Sequence, residues 1–135
     1  MFKLVKILNR GVNVAEPCLV NAQKDTAYAY GSAAVLKDGA LAPAGQTEKP
    51  TYIVGENLKA NEKATVLAYP INSDMIFETK VSESPLSLKC GDPVTLSITE
   101  GMAMGVSATT EGGVCEIYDL ADAKDAGDTV FVKFN

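Results

Sequence analysis

Ala33-Ala34-Val35-Leu36-Lys37-Asp38-Gly39-Ala40-Leu41-Ala42-Pro43 sets two apolar runs on either side of an Asp-Gly pair. That pair tolerates the φ > 0 backbone of a tight hairpin turn, so the stretch predicts two antiparallel strands. The same punctuation extends outward in both directions. Strand-like runs occupy Phe2–Leu8, Ala33–Leu36, Thr51–Val54, Ala64–Tyr69, Met75–Val81, Pro93–Ile98, Gly113–Tyr118 and Thr129–Phe134, and Gly, Asp and Pro separate them. The cleanest alternation is Val94-Thr95-Leu96-Ser97-Ile98, which predicts Val94, Leu96 and Ile98 inward and Thr95 and Ser97 outward. Gly91-Asp92-x-Val94 and Gly127-Asp128-x-Val130 open two strands in the same way.

The expectation is an all-β fold, a small β-barrel or β-sandwich-like domain with at most short helices. Residues 33–135 form its β-rich core. Residues 1–32 supply an N-terminal strand and an extended segment, where a short helix near residues 22–29 stays open. Phe2–Leu8 is close to period 2 but interrupted at Leu4-Val5, and its lysines suit an edge strand.

Composition bounds the function. The 135 residues carry a net charge of −5. Non-specific nucleic-acid binding needs a cationic surface that displaces counterions, so no nucleic-acid partner is expected. No segment approaches the apolar length of a membrane-spanning helix, and the N-terminus lacks the apolar core of a signal peptide. Cys18, Cys90 and Cys115 are too few and too scattered for a disulfide framework. They read as small buried hydrophobes in a protein made in a reducing cytoplasm.

The sequence holds no His, which removes the commonest general base and metal ligand. No close Cys pair replaces it, so no metal and no cofactor are expected. Candidate carboxylate pairs such as Asp119 with Asp122 read as solvated surface, and no Ser-x-x-Lys arrangement offers a His-free nucleophile. The chain is read as a non-enzyme.

Gly91-Asp-Pro-Val, Glu100-Gly-Met-Ala-Met104 and Gly127-Asp-Thr-Val together resemble a biotinyl or lipoyl carrier domain, whose modified Lys lies between two Met at a hairpin tip. Here Ala103 stands at that position, and without the amine the carrier function does not follow.

A second resemblance covers more of the chain. Ala33–Ala44 with its Asp-Gly turn, Lys49-Pro-Thr-Tyr-Ile-Val-Gly55, Lys63–Pro70 followed by Asp74-Met-Ile-Phe-Glu-Thr79, Lys89–Leu96, Val106–Val114 and Ala126–Phe134 resemble the head-decoration, or capsid cement, proteins of tailed bacteriophages and prophages. The resemblance implies a structural virion protein, made in the host bacterial cytoplasm, that binds the major capsid protein on the outer surface of the head and stabilises the shell. It leaves a homotrimer and a monomer both open. The alternative is a β-structured domain of a phage tail or fibre, or of a bacterial surface appendage.

The charge distribution suggests where such a protein grips. Lys3, Lys6 and Arg10 precede the first acid, Glu16, in a chain that is otherwise net acidic. Phe2, Lys3, Lys6 and Arg10 are therefore the candidate partner-binding residues. The competing reading is that this first strand simply completes the sheet.

Overall fold

The computed structural model describes residues 1–8 and 16–134. The Asp-Gly hairpin forms as the sequence predicts: β3 (Ala33–Lys37) pairs with β4 (Ala40–Pro43), with Leu36 opposite Leu41. Asp38 and Gly39 both take positive φ, 52° and 80°, so the strands reverse in two residues.

This hairpin is one wall of a closed barrel. Strands β2 (Cys18–Ala22), β6 (Thr65–Pro70), β5 (Tyr52–Val54), β3 and β4 follow one another round a ring, and β4 returns to β2 through a parallel pairing. Closure leaves these strands few free edges. The sheet continues from β3 through β10 (Met102–Val106) to β9 (Leu96–Thr99). A second, antiparallel sheet has the order β1 (Lys3–Ile7), β7 (Met75–Lys80), β12 (Thr129–Lys133), β11 (Cys115–Asp119), β8 (Pro93–Val94). It packs against β3, β9 and β10.

Two cores result. The larger lies between the sheets and includes Phe2, Phe77, Val94, Leu96, Val106, Ile117, Val130 and Phe134. The smaller fills the barrel with Tyr28, Ala34, Leu41, Val54, Leu58, Val66 and Ala68. Neighbouring residues of the shared wall serve both: Ala33 and Val35 face the sandwich while Ala34 faces the barrel, and Ala42 and Ile53 face the sandwich while Leu41 and Val54 face the barrel. A strand buried on both faces reads as an unbroken apolar run, which is why this hairpin lacks alternation. Its small alanines let the two cores lie close together.

Several expectations change. No helix occurs among the described residues, and the segment 22–29 is a turn leading to an isolated bridge between Tyr28 and Leu58. Residues 18–22, expected to be an unpatterned extended segment, are barrel strand β2. Residues 102–106, which lie outside the strand-like runs read from the sequence, are strand β10. Ala103 is fully buried opposite Ala33, and the exposed hairpin tip is instead Glu100-Gly101, so the carrier likeness ends at the turns. Thr95, expected outward, is buried and shares a 2.6 Å hydrogen bond with Ser107, whereas Ile98, expected inward, is exposed.

The Gly-Asp echo is one device used twice. Gly91 and Gly127 take φ of 94° and 90°. The carboxylate of Asp92 accepts the Lys89 amide, and that of Asp128 accepts the amides of Lys124 and Asp125. Each Asp closes the turn before its strand. Those two amides hold the Asp128 carboxyl below its ordinary pKa, with a smaller contribution from Lys80.

Candidate docking face

The interruption at Leu4-Val5 is a β-bulge. Lys3 and Leu4 pair with Glu78 and Phe77, and the register shifts before Lys6 and Ile7 pair with Ile76 and Met75. An extra residue turns the strand's inward face over. Phe2 and Leu4 point to the core before the bulge and Ile7 after it, so Lys3 and Lys6 both reach solvent despite their odd spacing.

The ring of Phe2 is buried, edge-on to Phe134 at 5.3 Å, and Phe134 is edge-on to Phe77 at 5.5 Å. Its expected role as a surface contact is therefore revised to that of an anchor holding β1 to the domain. The Phe2 amide donates to the Gly31 carbonyl at 2.7 Å, and the Met1 ammonium donates to the Met104 carbonyl. Burial, and then the charge of Lys80, push the Met1 amine below its ordinary pKa. Lys3 and Lys6 are exposed, and among the described residues neither forms an ion pair. Arg10 lies outside the described residues.

Among the described residues β1 is the last strand of its sheet. Between it and the barrel wall lies a groove of about 320 Å³. Phe2, Leu4, Ile53 and Phe77 contribute its apolar lining, and Lys3, Tyr30 and Tyr69 are the polar groups on it. Among the described residues no carboxylate lines the groove. The outer face of the barrel extends the apolar surface. Tyr69 and Leu67 share one face of β6, and Leu67 stands opposite Leu19, which is 69% exposed. Tyr30 is 47% exposed at the groove mouth. An exposed apolar strip joined to a groove marks an interaction surface more often than scattered single residues do.

Tyr30, Leu19, Leu67 and Tyr69 were not candidates from sequence. Leu67 and Tyr69 sit in an alternating run, but the sign of its inward face depends on the barrel partner. Leu19 falls in a segment with no readable pattern.

Elsewhere the surface is tied down by local pairs. Glu56 accepts the Leu67 amide at 2.7 Å and pairs with Lys63 at 3.2 Å. Glu48 accepts the Gly45 amide at 2.9 Å and pairs with Lys37 at 3.1 Å. Those backbone amides, then the lysines, hold both carboxyls below their ordinary pKa. Cys115 is buried, and burial pushes its thiol up to about 12; Cys18 is half-buried and Cys90 exposed. The residues that the sequence put forward as acids, Asp119 and Asp122, belong to a turn in which Asp119 accepts the Ala121 amide. Among the described residues no cluster of three or more His, Cys, Asp or Glu side chains has metal-binding geometry.

No protein-family model matches the chain, and no curated protein matches it.

Proposed function

We propose that this chain is a structural virion protein that binds the outer surface of a tailed-phage capsid through the major capsid protein and stabilises the shell. The sequence resemblance to capsid cement proteins raises the idea. The observation that carries it furthest is the docking face: a basic edge strand and an apolar strip on an otherwise acidic, all-β body. A clamp of this kind needs no reaction. It needs a rigid domain and a surface whose many modest contacts resist the pressure of packaged DNA across capsomer joints. Charged contacts at the rim raise the association rate, and the apolar strip holds the complex.

The test is co-sedimentation with expanded capsids lacking their own decoration. The protein should pellet with shells and not with isolated capsid subunits, and decorated shells should withstand heating better. Lys3→Glu with Lys6→Glu should slow binding, most at low salt. Deleting residues 1–10 is a poorer test, because it removes Phe2 and Ile7 from the core. Binding to tail structures or host cells with none to shells would replace this reading with the fibre or appendage one.

A further inference from the structure

We propose that the polar cleft beside β9 is a binding site for an uncharged sugar ring. It shares no lining residue with the groove beside β1, so it stands independently of the capsid reading.

The cleft, of about 300 Å³, opens between β9 and the chain segments that follow β4, β7 and β10. Backbone bonds hold those segments in place. The Leu96 amide donates to the Gln46 carbonyl at 2.9 Å, the Ser82 amide to the Val106 carbonyl at 2.8 Å, and the Ser107 amide to the Thr95 carbonyl at 3.0 Å. The walls are set before any ligand arrives, which lowers the ordering cost of binding.

The floor carries a spare proton. Thr95 and Ser107 line the cleft and are 5% and 8% exposed. Their hydroxyl oxygens lie 2.6 Å apart and share a hydrogen bond, and Ser107 Oγ also accepts the Thr109 amide at 3.0 Å. Each hydroxyl brings one proton. Whichever residue donates the mutual bond, the proton of the other has no acceptor among the described residues. An unmade buried donor favours a ligand oxygen that can accept it.

The rim asks for the opposite. Glu83 and Glu111 accept hydrogen bonds and donate none. Among the described residues no Lys or Arg lines the cleft, and neither carboxylate forms an ion pair. A simple cation would suit the rim but brings no acceptor to the floor. A phosphate or carboxylate would suit the floor but meets like charge at the rim. A neutral polyol does both, because every hydroxyl is donor and acceptor. Gln46 and Ser97 add further polar partners, and Ile98, 38% exposed, offers an apolar face to the C–H side of a ring. The volume is at the small end of the range for binding pockets, which suits a ring more than a longer chain. Without an aromatic platform among the described lining residues, affinity should be in the millimolar range.

The probes are the methyl glycosides of glucose, galactose and mannose, with glucuronate as the acidic counterpart and glycerol and ammonium chloride as controls. Backbone NMR of the full-length protein should show saturable shifts with at least one glycoside, confined to Gln46, residues 95–98 and residues 107–111. Glucuronate, glycerol and ammonium should leave those amides unmoved. Glu83→Gln with Glu111→Gln, both at exposed positions, should weaken the glycoside about tenfold, as expected for losing charge-assisted hydrogen bonds. The same variant should admit glucuronate, a gain that a merely unfolded protein would not show. Ile98→Arg should block the mouth and abolish binding. The proposal is overturned if no glycoside gives saturable shifts, if the shifts fall elsewhere, or if they persist unchanged in both variants. Equal shifts with glycerol or ammonium also overturn it, since the cleft then takes any small polyol or a cation.

Discussion

Tyr28 shows how one side chain joins the small barrel core to the backbone around it. Its ring is buried in the barrel, and its hydroxyl donates to the Leu41 carbonyl at 2.6 Å while accepting the Gln23 amide at 2.7 Å. Its backbone amide and carbonyl both bond Leu58. Removing the hydroxyl alone leaves a buried acceptor and a half-buried donor without partners, and unmade buried hydrogen bonds cost more than made ones return. Tyr28→Phe should therefore lower unfolding stability by about 1–3 kcal/mol, read as a shift in urea midpoint with an unchanged slope. Beside it, Asp25 and Asn61 clasp the barrel end. The Asp25 amide and carboxylate bond the Asn61 side chain at 2.9 and 2.7 Å, and both residues sit at φ near 60° (59° and 61°). Asp and Asn tolerate that region better than other residues with a Cβ.

Among the elements, β10 is where close approach matters most. Gly105 sits at a bulge in its pairing with β9, and a Cβ there would meet the Lys80 carbonyl oxygen at 2.6 Å. The neighbouring Val106 bridges Val81 and accepts the Ser82 amide, so β10 and the end of β7 are held in contact. Gly105→Ala has no flexible side chain to displace, and it should destabilise by about 1–3 kcal/mol through overpacking. A thermal melt of the variant checks this; an unshifted midpoint would mean the strands separate freely.

The elements also mark the limit of what was legible. Asp38-Gly39 announced its hairpin because a two-residue reversal leaves few chemical choices. The break at Leu4-Val5 was visible, but its meaning as a bulge needed the register against β7. β2 and β10 were not legible. Met102-Ala-Met-Gly-Val106 is small and buried where it crosses other strands, so it has no polar face to alternate with. The lysines of the candidate face were readable from charge alone. Leu19, Tyr30 and Tyr69 were not, because strands distant in sequence bring them together.

At the scale of the whole molecule, acid should loosen the structure in a defined direction. Glu48, Glu56 and Asp128 all have folded-state pKa values below their ordinary ones, mainly from backbone amides. A carboxyl depressed on folding adds stability that is fully present above its unfolded pKa and is lost as pH falls through its folded pKa. Melting temperature should thus fall below the ordinary carboxylate range of about pH 4. Glu56→Gln should flatten part of that slope, since its amide cannot titrate. A slope unchanged in Glu56→Gln would place the acid sensitivity elsewhere.

The two cores raise a larger question: whether barrel and sandwich unfold together. Their common wall answers it. Ala33, Val35, Ala42 and Ile53 pack into the sandwich from the strands whose Ala34, Leu41 and Val54 pack into the barrel. The barrel cannot open without stripping one face from the sandwich, and losing the sandwich exposes the outer side of the barrel wall. Short chain connections add to the coupling, since Gly31 and Ser32 bond Val54 while the Phe2 amide bonds Gly31. Leu41→Ala tests this from the barrel side. Leu41 is fully buried, and truncation of a buried leucine costs about 2–5 kcal/mol. With a shared wall, the loss should lower one transition that is seen alike by far-UV circular dichroism and by exchange of the sandwich amides of β7 and β12. Two separated transitions, with the sandwich amides still protected after the barrel has melted, would show that β3 and β4 can be lost from one core while the other stands. A single transition would give the candidate face a rigid mount, because β1 belongs to one sheet and the Leu19–Leu67–Tyr69 strip to the other, and the face exists only while both are folded.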